Sequence, residues 1–67
     1  MKVKIIKNNP PNTEINNYSD ISEYVGQIFK VIEKIKYDAD GNTNNGVVVI
    51  IDSTETEIYE GEYEVLK

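Results

Sequence analysis

Histidine, cysteine, arginine and tryptophan are absent from the 67 residues, and with them go most of the side chains that enzymes use for chemistry near neutral pH. Without cysteine there is no disulfide and no thiolate zinc site, and without histidine the common imidazole metal sites are excluded. Any metal would have to be held by oxygen, and no metal or cofactor is expected. Long apolar runs are missing too. The longest, Val47 to Ile51, is far short of the roughly 20 residues of a membrane span, and the first residues, MKVKIIKNN, contain no apolar stretch of signal-peptide length. A cytoplasmic location is the expectation. Two carboxylates can hydrolyse a glycoside, but only in a cleft that raises the pKa of one of them, and a core this small leaves little room for one. The chain is therefore not expected to be an enzyme.

What is present is charge, unevenly placed. Residues 1–36 carry six Lys against four acids, a balance of +2, whereas residues 37–67 carry one Lys against eight acids, a balance of −7. Such a chain is suited to act by contact. Its length allows a single domain, residues 1–67, with one small core and a stability of about 3–5 kcal/mol. Ten Ile, eight Asn and seven Lys beside single Leu and Ala residues match the codon usage of an AT-rich genome, which points to a low-GC bacterium or one of its phages.

Alternation of Val3 and Ile5 with Lys2 and Lys4 predicts a strand over 2–7, stopped by Asn8, Asn9, Pro10 and Pro11. A long polar loop follows over 8–22, with Ile15, Tyr18 and Ile21 as its core candidates. Gly46 to Asp52 is almost wholly β-branched and predicts a central strand, and two shorter strands are expected at 57–60 and 64–66, divided at Gly61. Between Asp20 and Tyr37 two rules compete. Ile21, Tyr24, Val25, Ile28, Val31, Ile32 and Ile35 fall on one helical face, and Asp20 with Glu23 could form a capping box. Yet the segment is dominated by β-branched and aromatic residues, and Gly26 would cost about 1 kcal/mol inside a helix. Read as a strand, it turns Phe29, Val31 and Ile35 inward and Lys30, Lys34 and Lys36 outward, and Glu33 on the inward set signals a bulge.

The run Tyr24-Val25-Gly26-Gln27-Ile28-Phe29-Lys30-Val31, an Asp/Gly-rich turn, Val47-Val48-Val49-Ile50, Ile58-Tyr59 and then Gly61-Glu62-Tyr63-Glu64-Val65-Leu66 resembles small SH3-like barrels of phages and low-GC bacteria over residues 22–66. The resemblance implies an all-β, five-stranded SH3-like barrel. The alternative fold is α+β, with one helix over 20–36 packed on a small antiparallel sheet. The aromatic cluster and Trp pair of signalling SH3 domains are missing, so recognition of proline-rich peptides is not implied.

Glu55, Glu57, Glu60, Glu62 and Glu64 place five carboxylates in ten residues. Where acids alternate along a strand, i and i+2 share a side at roughly 6.6–6.8 Å spacing, a row of negative charge that could occupy the basic groove of a nucleic-acid-binding protein. A solvated face that keeps a small protein soluble is the plainer reading of the same row. Tyr59 and Tyr63 lie among these acids and are expected to be the exposed pair of the five tyrosines. Tyr between carboxylates suits a partner rich in Arg or Lys. The expected partner-binding set is thus Glu55, Glu57, Tyr59, Glu60, Glu62, Tyr63 and Glu64.

Asp38-Ala39-Asp40-Gly41-Asn42 opens like a calcium loop, but Thr43 stands where glycine is needed and Val49 where a bidentate Glu is needed. Asp40-Gly41 and Asn45-Gly46 are instead expected to be hairpin turns. Lys2, Lys4, Lys7, Lys30, Lys34 and Lys36 could form a basic strip, as in ribosomal-type nucleic-acid-binding barrels, but a pI near 4.5 opposes phosphate binding, and direct nucleic-acid binding is not expected. The reading that results is a non-enzymatic protein-binding module, phage or mobile-element encoded, that offers an acidic Tyr/Glu face to a basic partner and could inhibit a host nucleic-acid-binding defence enzyme. A structural or regulatory component of a larger assembly is the alternative.

Overall fold

The computed structural model describes residues 1–10, 20–39 and 41–67. Five strands, β1 (Lys2–Ile5), β2 (Ile28–Ala39), β3 (Asn42–Ile51), β4 (Thr54–Ile58) and β5 (Tyr63–Leu66), form one antiparallel sheet in the order β4-β3-β2-β1-β5. The sheet is not closed, and no α-helix occurs among the described residues. The fold is therefore all-β. Of the expected 8–22 loop, residues 11–19, with Ile15 and Tyr18, lie outside the described residues.

The helical alternative over 20–36 fails for reasons visible in the backbone. Asp20 does not enter a capping box: its carboxylate accepts the backbone N–H and the hydroxyl of Ser22, a local turn that leads only into a 3-10 turn at Ser22–Tyr24. Gly26 then takes a φ of +94°, outside any right-handed helix, and donates its N–H to the Ile5 carbonyl at 2.8 Å. From there the chain runs as β2.

β2 changes partners along its length. Ile28, Phe29 and Lys30 pair with β1, while Val31 and then Glu33 to Ala39 pair with β3. Val31 opposes Val49 and Glu33 opposes Val48, so Ile32 is the extra residue of a β-bulge. Without it, Glu33 would follow Phe29 and Val31 into the apolar interior. With it, Glu33 is exposed. The core consists of Val3, Ile5, Ile21, Val47, Val49, Ile51 and Ile58, with Tyr24, Phe29, Val31 and Tyr63 packed against it. Each fully buried Val or Ile contributes about 1.5–3 kcal/mol.

The two expected Asn/Asp-Gly turns part ways. Gly41, at a φ of +76°, sits in the turn between β2 and β3. Asn45-Gly46 is no turn: both residues lie inside β3, opposite Lys36 and Ile35. Gly46 is there because a Cβ would stand 2.9 Å from the Ile58 carbonyl oxygen and 3.0 Å from Ile35 Cγ1. The β3–β4 hairpin turns instead at Asp52-Ser53, with φ of 51° and 65°.

Candidate protein-interaction face

β4 is an edge strand, and Glu55 and Glu57 alternate on it with the buried Thr56 and Ile58, so both carboxylates face solvent. At its end the Tyr59 hydroxyl donates to Glu57 Oε1 at 2.6 Å, and the Tyr59 ring meets Tyr37 edge-on with centroids 5.0 Å apart. Glu60 is exposed and donates its backbone N–H to the Tyr37 hydroxyl at 2.8 Å. The Glu57 carboxylate is thus held beside a tyrosine pair, with the exposed Glu55 on the same side of β4 and Glu60 next to the Tyr37 hydroxyl. Burial holds the Tyr37 phenol above its ordinary value of 10.0, against the opposing effect of the Glu60 N–H, and the neighbouring acids add to the rise.

The row expected from sequence is broken in two places. Glu62 is only 2% exposed: Oε1 accepts the Tyr59 N–H at 2.9 Å and Oε2 accepts the Asn9 N–H at 2.7 Å, so its charge is consumed by backbone donors. Glu64 is exposed but lies on β5, the opposite edge of the sheet, directly across from Lys4. The tyrosine expectation also needs correction. Tyr59 and Tyr63 are both half-buried, Tyr63 because it packs on the core, and burial raises its phenol above 10.0.

Sequence reasoning missed Tyr37, which joins the face from β2, and it missed a second acidic corner. There the Tyr24 hydroxyl donates to Asp52 at 2.7 Å, and that bond, with another to Glu23, pushes its pKa well above the ordinary phenol value. Asp20, Glu23 and Asp52 border the same hollow as Thr54 and Thr56, which alternate with Glu55 and Glu57, so this corner lies on the other side of β4 from those two carboxylates. Only contact between sequence-distant tyrosines and acids reveals either feature. Among the described residues no group of three or more acids is arranged to hold a metal, and no helix is long and apolar enough to cross a membrane.

The lysines lie elsewhere. Lys2 opposes Lys30 across β1 and β2, but past the bulge at Ile32, Lys34 pairs with Val47 and, with Lys36, lies on the other face of β2, so the lysines expected as one basic strip are divided between two faces. Comparison with protein-family models, with curated proteins and with solved structures finds no match.

Proposed function

We propose that the protein is a non-enzymatic binding module, an SH3-like barrel in its finer architecture, that offers Glu55, Glu57 and Glu60 with Tyr37 and Tyr59 to a basic partner. The observation that carries this reading is the Tyr59–Glu57 hydrogen bond beside the Tyr37–Tyr59 contact, which fixes the Glu57 carboxylate and two aromatic edges in one place at the end of the edge strand. Held side chains lose less conformational freedom on binding, and Arg or Lys can meet carboxylate and ring together. The partner class is a protein with a basic nucleic-acid groove, with inhibition of a host defence enzyme as the consequence, and the encoding genome is that of a phage or mobile element of a low-GC bacterium.

The test is a pull-down from a low-GC host lysate, followed by titration of the recovered partner at about 50 and 300 mM salt. Affinity should fall steeply with salt, and Glu55→Gln, Glu57→Gln and Glu60→Gln together should weaken binding at least tenfold with the circular dichroism unchanged. Glu62 is left intact because of its internal bonds. Affinity indifferent to both salt and the triple variant would overturn the reading.

A second reading, a component of a larger assembly, is favoured by Ile28, Ile32 and Ile50, which are 55%, 49% and 43% exposed. It would be preferred if a salt-insensitive partner were lost on changing these isoleucines to Thr.

A further inference from the structure

Past Val31, β2 has β3 on one side only: among the described residues nothing pairs with the other edge of Glu33–Ala39. That edge borders a groove of about 370 Å³ between the two halves of the sheet, walled by Met1, Ile35, Val47, Tyr63 and Val65. The apolar wall is open to solvent, with Met1 49% and Val65 51% exposed. Lys34 and Lys36 line the same groove. Neither lysine has an ion-pair partner among the described residues, although the chain carries a net charge of −5.

We propose that this edge and groove bind an extended peptide segment of a partner protein in which carboxylates alternate with apolar side chains. Two features select that occupant. A free strand edge presents N–H and C=O groups in a row that another strand can satisfy along its length, which a compact small molecule cannot do. Lys34, paired with the core residue Val47, and Lys36 lie on the groove face of β2 and Ile35 and Tyr37 on the other, and a strand laid alongside meets residues of matching face at each step, so Glu or Asp falls against the lysines and every second residue against Ile35 and Tyr37. This site shares Tyr37 with the proposed acidic face but has the opposite charge preference, and it is read out separately, through Lys34 and Lys36 and not through Glu55, Glu57 and Glu60.

The experiment uses the full chain, labelled with ¹⁵N, and the capped peptide Glu-Val-Glu-Phe-Glu-Val-Glu, with a peptide of the same composition in which the four Glu precede the apolar residues as control. Binding should shift the amide resonances of Lys34–Tyr37, Tyr63 and Val65 and slow hydrogen exchange along 34–38. Two further peptides, N-methylated at the Glu positions or at the apolar positions, should differ, because only one set of N–H groups points at β2; that one should bind at least tenfold more weakly. Lys34→Glu with Lys36→Glu, both exposed positions, should weaken the parent peptide at least tenfold at low salt while the spectrum remains that of a folded domain. Equal response to the block-sequence peptide, equal affinity of both N-methylated forms, or shifts confined to β4 would each overturn the proposal. So would concentration-dependent dimerisation that protects 34–38 without peptide, since the occupant would then be a second copy.

Discussion

Asn9 and Glu62, 53 residues apart in the chain, are joined by a 2.7 Å hydrogen bond from the Asn9 N–H to the Glu62 carboxylate. The other carboxylate oxygen takes the Tyr59 N–H, and the Glu62 backbone itself donates to the Tyr59 carbonyl and accepts from the Ile6 N–H. One buried residue thus ties the β4–β5 turn to the segment that leaves β1. Glu62→Ala leaves two N–H donors without acceptors at about 1–3 kcal/mol each. In a domain with about 3–5 kcal/mol in total, that variant should be largely unfolded in urea titrations. Glu62→Gln keeps one oxygen but turns an NH₂ toward a donor and should fall between. An Ala variant within about 0.5 kcal/mol of the parent would deny the tie any structural weight.

Gly46 is required by space, not by backbone angle. A methyl group there meets the Ile58 carbonyl oxygen at 2.9 Å, and backbone of a paired strand cannot step aside as a flexible side chain can. Gly46→Ala should therefore cost about 1–3 kcal/mol by chemical denaturation. Combining it with Ile35→Ala should not restore the loss, because the nearer obstacle remains. Full recovery in the double variant would place the conflict with Ile35 instead.

Much of this fold is legible in the residues themselves. The β-branched run at 47–51, the Gly61 break and the bulge demanded by Glu33 all follow from local chemistry, because in each case a single residue's preference and its tertiary surroundings agree. Asn45-Gly46 misleads because a glycine admitted for close approach has the same letter as one admitted for a turn. The acidic row misleads for a related reason. Nothing local separates Glu62 from Glu60 or Glu64; the turn at Gly61 carries one inward to backbone donors of which one, Asn9, is 53 residues distant, leaves one beside Tyr37 and sends the third to the far edge of the sheet. Exposure of a charged residue is set by the path of the chain, and that path is a property of the whole sheet.

The tyrosines set the alkaline limit of stability. Burial raises the folded-state pKa of Tyr37 and Tyr63 above the 10.0 expected in the unfolded chain. An acid with a raised folded pKa contributes stability that is complete below its unfolded value and lost as pH climbs through the folded one. Stability should thus hold up to about pH 10 and decline above it. The comparison that isolates the effect is with Tyr63→Phe, whose decline above pH 10 should be shallower than the parent's. Parallel curves would show that Tyr63 has no share in it.

The β3–β4 hairpin carries relievable strain. Asp52 and Ser53 both adopt positive φ between the paired residues Ile51 and Thr54, the arrangement of a two-residue turn that favours Asn or Asp followed by Gly. Asp52 tolerates this conformation and also accepts the Tyr24 hydroxyl, so it is best kept. Ser53 makes no such compensating bond among the described residues. Ser53→Gly removes the Cβ conflict of a left-handed residue, about 1–2 kcal/mol, at the expense of about 0.5–1 kcal/mol of added chain entropy in the unfolded state. The net gain of up to about 1 kcal/mol should raise the thermal midpoint by a few degrees. Ser53→Val, β-branched and ill-suited to positive φ, should lower it by at least as much. Should both variants melt with the parent, the turn residues are not under strain, and the register of β4, with Glu55 and Glu57 outward, must be fixed by the Val49–Thr56 and Val47–Ile58 pairs alone.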